Sequence, residues 1–123
     1  MQDYETQAKL FKALMHPTRL AILDILRNGE QCVCHMEAVL GLRQAYISQQ
    51  LMILRESDLV QDRRDGWNIF YRVVKPEIYE IIDLAQRMRE SNNAAPRQAL
   101  VAKIIKTDCP CPKCQPAIGH TPA

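Results

Sequence analysis

The sequence predicts a mainly α-helical domain carrying one β-hairpin, and two observations predict it. Apolar residues recur at steps of three and four from Tyr4 to Leu54 and again from Ile78 to Met88, the spacing of one helix face, whereas between Leu59 and Val73 the period drops to two. Within that second stretch Asp65-Gly66 separates two alternating runs, the mark of a tight turn joining two strands. With 123 residues, 47 % of them hydrophobic, the chain can enclose one core; residues 1–93 are expected to form it and residues 94–123 to form a C-terminal tail.

Tyr4, Ala8, Phe11 and Leu14 or Met15 share one side of a first helix, which His16-Pro17 ends. Pro17 suits the first turn of a second helix, where its missing N–H is no loss, and Leu20, Leu23, Ile25 and Leu26 are its apolar positions until Asn28-Gly29 stops it. After Cys32-Val33-Cys34, the residues Met36, Val39 and Leu40 predict a two-turn helix closed by Gly41. A fourth helix runs from about Gln44 to Ser57 with Ile47, Leu51, Ile53 and Leu54 directed inward. The hairpin follows, with Asp65-Gly66 as the central pair of a type I′ turn, both at positive φ. Ile78, Ile81, Ile82, Ala85 and Met88 make a last amphipathic helix from Pro76 to about Glu90, broken by Ser91-Asn92-Asn93. A weaker helical stretch from Arg97 to Ile105 leads to Asp108-Cys109-Pro110-Cys111-Pro112-Lys113-Cys114-Gln115-Pro116, where the prolines exclude regular structure.

Charge and cysteine usage narrow the function. Lys and Arg number 16 against 14 Asp and Glu, and neither sign dominates any third of the chain, so a nucleic-acid contact would rest on a few placed arginines. No apolar run approaches the roughly 20 residues of a membrane span, and the acidic, helical N-terminus does not read as a signal peptide; a soluble, cytoplasmic protein without a membrane partner is expected. In that compartment thiols stay reduced, so an odd set of five cysteines points to metal or redox chemistry before disulfides.

Two helices joined at Gly41, the second polar on its outer face and followed directly by a hairpin, form a winged helix-turn-helix pattern. Such a unit lays its second helix in the major groove of double-stranded DNA. Gln44, Tyr46, Ser48 and Gln49 are then the outward candidates, since glutamine can pair with adenine through two hydrogen bonds and serine can donate to a base or phosphate. Arg63 and Arg64 sit beside the wing tip, where arginine enters a minor groove or clamps phosphates. The competing readings are a solvated helix face and solvated strand ends.

With these residues in place, the chain resembles the ArsR/SmtB family of metal-responsive winged-helix repressors. The resemblance lies in His16-Pro17-Thr18-Arg19-Leu20 with Ile22-Leu23, the Cys32-Val33-Cys34 box, Ile47-Ser48-Gln49-Gln50-Leu51, and Leu59-Val60 through Arg63-Arg64-Asp65-Gly66 to Tyr71-Arg72-Val73. It implies a homodimer built on the first and last core helices that binds a palindromic operator and releases it when an inducer binds. The chain departs from the family where Arg43 and Ala45 replace a common Ser and Pro at the start of the recognition helix, which removes the usual cap and leaves Arg43 as a candidate phosphate contact. A second departure is Trp67, after the turn glycine where a basic residue is common; packing at the wing base is expected for it, ahead of stacking on a sugar edge.

The Cys32-x-Cys34 pair carries the candidate chemistry. In an extended segment residues two apart project to one side, so both thiols could reach one ion if the chain enters the helix extended, and a helix beginning at about Cys34 would favour the thiolate form. The alternative is two buried cysteines acting as small hydrophobes. Arsenite sensors of the family place a third thiol where this chain has Glu37, so the box supplies two sulfurs; His35 is left out of the site. Cys109, Cys111 and Cys114 are the expected source of the rest, from either subunit. Three thiolates suit As(III), four suit Cd(II) or Pb(II), with Zn(II) ranked behind them. A thiol oxidoreductase motif at Cys111–Cys114 and a separate zinc knot with His120 compete for the tail, and the family's last-helix metal site is not expected, because residues 81–90 offer Asp83 and Glu90 but no histidine. The expected function is metal- or metalloid-released repression; the alternative is a repressor switched by thiol oxidation or reactive sulfur, and no enzymatic activity is expected.

Overall fold

The computed structural model describes residues 2–90, five α-helices and a three-stranded antiparallel sheet. Helix α1 spans Gln2–Leu14, α2 Pro17–Ile25, α3 Val33–Leu40, α4 Gln44–Glu56 and α5 Ile78–Glu90; the strands are β1 Gln31–Cys32, β2 Val60–Asp65 and β3 Asn68–Val73. The architecture is a winged helix-turn-helix. Gly41 ends α3 in the left-handed region (φ 66°), its N–H donating to Glu37 O, and the short turn it opens sets α4 against α3. Cys109, Cys111 and Cys114, the stretch from Arg97 to Ile105, and the boundary between residues 93 and 94 lie outside the described residues.

The core sits where α2, α3 and α4 meet the base of the wing. Ile22, Leu23, Met36, Val39, Ile47, Leu51, Leu54, Leu59 and Val60 have essentially no exposed surface. Two caps set the helix starts: Pro17 opens α2 behind His16, whose Nδ1 accepts the Thr18 N–H at 3.1 Å, and Cys32 caps α3. Arg19 is buried among these helices and pairs with no carboxylate among the described residues. Its Nε donates to Ala13 O at 2.6 Å, Nη2 to Lys12 O at 3.2 Å and Nη1 to Gln50 Oε1 at 2.7 Å, so one side chain closes the end of α1 and fixes α2 to α4. At the other end of α2, Arg27 pairs with both oxygens of Asp83 on α5 and with Asp24, and its guanidinium lies 4.5 Å from the Tyr79 ring centroid. The Tyr79 hydroxyl donates to Leu23 O, and burial raises its pKa above the ordinary tyrosine value.

Four expectations are corrected. Strand β1 was not expected; it pairs with β3 through Gln31↔Tyr71 and Cys32↔Phe70, giving the sheet order β1-β3-β2. The hairpin turn lies one residue later than the Asp-Gly signal implies. Asp65 pairs with Asn68, so the loop residues are Gly66 and Trp67, and only Gly66 has positive φ, the pattern of a type II′ turn. Trp67 consequently has no cross-strand neighbour and is fully exposed, where packing at the wing base was expected. The inward stripe of α4 is also narrower than the sequence suggests: Ile53 lies at the surface because Ile47, Gln50, Leu51 and Leu54 already fill the inner face of that helix. Tyr4 and Phe11 on α1, Met15 just after it, Leu20 on α2 and Met88 on α5 are exposed.

Replacing Arg19 with alanine leaves a buried amide oxygen and two helix-end carbonyls without their donor, a loss of about 3 kcal/mol in urea unfolding at fixed protein concentration. Arg19→Lys recovers only part of it, since one ammonium cannot reach all three acceptors.

Candidate DNA-binding face and thiol site

Helix α4 turns only part of its expected outward set fully to solvent. Gln44 and Gln49 are exposed, Ser48 is half-buried, and Arg43, also exposed, precedes the helix in extended conformation and makes no side-chain cap bond to its first-turn N–H groups. Tyr46 is half-buried and turns back toward His16, with its hydroxyl 3.2 Å from Nε2. Because His16 Nδ1 accepts from Thr18, a neutral ring carries its proton on Nε2 and donates to the Tyr46 oxygen, which leaves the phenol hydrogen to be donated elsewhere. Met52, missed by sequence reasoning, is exposed on the same helix.

The two wing arginines differ. Arg64 is exposed and forms no ion pair among the described residues. Arg63 is held by Glu30, Nη2 to Oε1 at 2.7 Å and Nε to Oε2 at 3.0 Å, with its guanidinium 4.8 Å from the Phe70 ring centroid and a second carboxylate, Asp65, at 3.8 Å. Hydrogen bonding to Glu30 holds the Arg63 pKa above its already high ordinary value. Glu30 lies 33 residues from Arg63 and carries no local signal of this role. Arg55 at the end of α4 pairs with Asp62 at 3.5 Å and ties the wing to that helix.

The thiol pair occupies the joint between α3 and the wing. Cys32 is a strand residue and a helix cap at once: extended (φ −84°, ψ 160°), opposite Phe70, with its sulfur accepting the His35 N–H at 3.3 Å. The helix therefore begins at Val33, one residue earlier than expected, and Cys34 lies in its first turn. Cys32 is 1 % exposed and Cys34 half-buried; both pack on Phe70 in a cluster separate from the main core. His35 is buried, and desolvation lowers its pKa below 6.5, which keeps the imidazole neutral at neutral pH. Glu37 is exposed on α3. Among the described residues no three His, Cys, Asp or Glu side chains converge as a metal site. On α5, both carboxylate oxygens of Asp83 accept from Arg27. No helix among the described residues is long and apolar enough to cross a membrane.

Comparisons with known proteins agree with this geometry. The family model described as bacterial regulatory protein, arsR family, matches residues 16–62. An uncharacterised HTH-type transcriptional regulator of Methanocaldococcus jannaschii is 42 % identical over 90 residues, covering 72 % of this chain and 100 % of that protein. The arsenical resistance operon repressor of Escherichia coli K12 is 38 % identical over 106 residues, 82 % of this chain and 86 % of that one. The solution structure of a homodimeric winged helix-turn-helix DNA-binding domain from Mycobacterium bovis superposes with a TM-score of 0.65 at 28 % identity, covering 74 % of this chain and 84 % of that one.

The burial difference predicts an order of reaction. Brief alkylation of the native, reduced protein should label Cys34 before Cys32, and the two should converge in denaturant, as read by peptide mass spectrometry.

Proposed function

The chain belongs to the arsR family of bacterial regulatory proteins, and on that premise we propose that it is a homodimeric repressor released from a palindromic operator when a thiophilic metal or metalloid binds its cysteine thiolates. The observation that carries this reading is the position of Cys32, which belongs at once to the cap of α3 and to the strand that pairs with the wing. An ion held there pulls on both halves of the DNA-binding unit. Cys32 and Cys34 supply two sulfurs; Cys109, Cys111 and Cys114 are the proposed source of one or two more, from the same or the partner subunit. Three sulfurs would suit As(III) and four Cd(II) or Pb(II), ahead of Zn(II). The name of the Escherichia coli relative supports the arsenical class.

On the DNA side, Gln44, Tyr46, Ser48 and Gln49 are proposed to read or position the major groove, Arg43 to contact phosphate, and Arg63 and Arg64 to serve the wing, with Arg63 doing so from its clamp on Glu30. The exposed apolar stripe of Tyr4, Phe11, Met15, Leu20, Leu84 and Met88 is proposed as the dimer face, and its burial would set the two α4 helices about 34 Å apart, one turn of DNA.

Two measurements test this reading. Addition of As(III), Cd(II) or Pb(II) should weaken binding to a duplex selected by the protein itself 5–150-fold, the range of a roughly 1–3 kcal/mol coupling. The effect should fade at low pH, where protons compete for the thiolates. Equal release of Cys32→Ser removes the box from the mechanism, while release by oxidant alone, reversed by reductant without metal, replaces the ion with thiol oxidation or reactive sulfur as the input. Second, Leu84→Arg should halve the mass seen by light scattering and lower DNA affinity with it.

A further inference from the structure

The wing tip is nearly neutral in its unpaired charges. Arg63 is held by Glu30 and Asp65, Asp62 faces Arg55, and Arg72 donates to Gln61, which leaves Arg64 as the wing's basic side chain outside an ion pair or side-chain hydrogen bond among the described residues. What the tip does present is apolar. Trp67, the one tryptophan of the chain, is 100 % exposed. Among the described residues the other exposed large apolar side chains lie on α1, α2, α4 and α5 or, for Met15, in the link after α1; Trp67 alone stands on the wing.

Its position is also fixed. The strands close at Asp65↔Asn68, Gly66 takes the positive φ the turn requires, and Trp67 stays in an ordinary backbone region as the second loop residue. The hairpin carrying it pairs with α4 through Arg55–Asp62 and with Glu30, just before β1, through Arg63. A two-residue loop closed by paired strands presents the indole without a long segment to order on contact.

We propose that Trp67 is a DNA-contact residue whose indole lies against the deoxyribose wall of the minor groove beside the half-site met by α4. The inference rests on the DNA-binding reading above and adds to it a contact of another kind. An indole removes from water roughly 150–250 Å² when covered, and a sugar wall offers it C–H surface without demanding charge. The wing then holds DNA mainly by shape and apolar contact, with Arg64 as its phosphate partner, and the acidic residues beside the tip are tolerated.

The single indole makes the test direct. Full-length protein is titrated with a fluorescently labelled duplex that it has itself selected from a random pool; anisotropy of the label reports binding and tryptophan emission reports the contact. Saturation should quench Trp67 and move its emission to shorter wavelength. Trp67→Ala, unchanged in circular dichroism, should bind about tenfold more weakly, with the dependence of log K on log salt unaltered because no phosphate charge is lost. Trp67→Phe should keep most of the affinity, whereas Arg64→Ala should lower the salt slope by about one. Full binding with unperturbed emission, wild-type affinity in Trp67→Ala, or a loss confined to the salt slope overturns the contact while leaving the repressor intact. Failure to select or bind any duplex overturns the repressor reading, and the contact with it.

Discussion

The guanidinium of Arg19 is the constraint on which the arrangement of helices depends. A buried positive charge without a carboxylate partner is tolerable only if strong acceptors surround it, and the end of α1 supplies them: the carbonyls of Lys12 and Ala13 lie where the helix dipole is negative. The third arm reaches Gln50, itself buried on α4. Arginine alone has the planar fork to meet three acceptors in three directions. The consequence is positional. Helix α1, which bears part of the apolar stripe, and α4, which bears the polar face, are held in one fixed relation, so an assembly made through the first sets where the second points.

The base of the wing shares the main core through Val60, Ile69, Tyr71 and Val73, and a second, smaller cluster joins the wing to β1. Cys32 and Phe70 pair across β1 and β3, Cys34 packs on the same ring, and the Arg63 guanidinium lies over Phe70 while its fork grips Glu30. Chain segment 30–34 and residues 63 and 70 of the hairpin thus form a closed ring of neighbours. Nothing in it is deeply charged or tightly packed, and β1 is only two residues long. Such a unit opens more readily than the core made by Ile22, Leu23, Met36 and Leu51.

Much of this was legible in the sequence, and the failures have identifiable causes. Helical period, Pro17, Gly41 and the change to period two suffice to place α2 to α5 and the hairpin, because each signal acts within a few residues. The apolar stripes of α1 and α5 were legible as stripes, although periodicity alone does not say whether the covering surface lies in the same chain. Packing at the wing base was expected for Trp67; with Gly66 and Trp67 as the loop residues in place of Asp65-Gly66, the type II′ pattern replaces type I′ and the indole stands at the tip. The pairing of Arg63 with Glu30 and of Cys32 with Phe70 spans more than thirty positions, and neither partner announces the other locally. The Cys32-Val33-Cys34 spacing left two readings open, ligating thiols or two buried small hydrophobes, and the burial of Cys32 beside Phe70 follows only from the pairing of β1 with β3.

That burial bears on how the thiols can act at all. A sulfur that is 1 % exposed and already accepts the His35 N–H cannot be reached by an ion or an oxidant while β1, α3 and Phe70 keep their places. Reaction at Cys32 therefore selects conformations in which the Cys32↔Phe70 pairing has opened, and a ligand that holds such a conformation draws population toward it in proportion to its affinity. The same opening loosens the strand beside Glu30 and, through it, the clamp on Arg63. Because linkage is reciprocal, any DNA contact that favours the closed wing must in turn oppose reaction at Cys32. On the proposed reading, a buried cysteine on a two-residue strand makes the chemistry of the sulfur and the posture of the wing parts of one equilibrium, which an exposed thiol on a loop would not do.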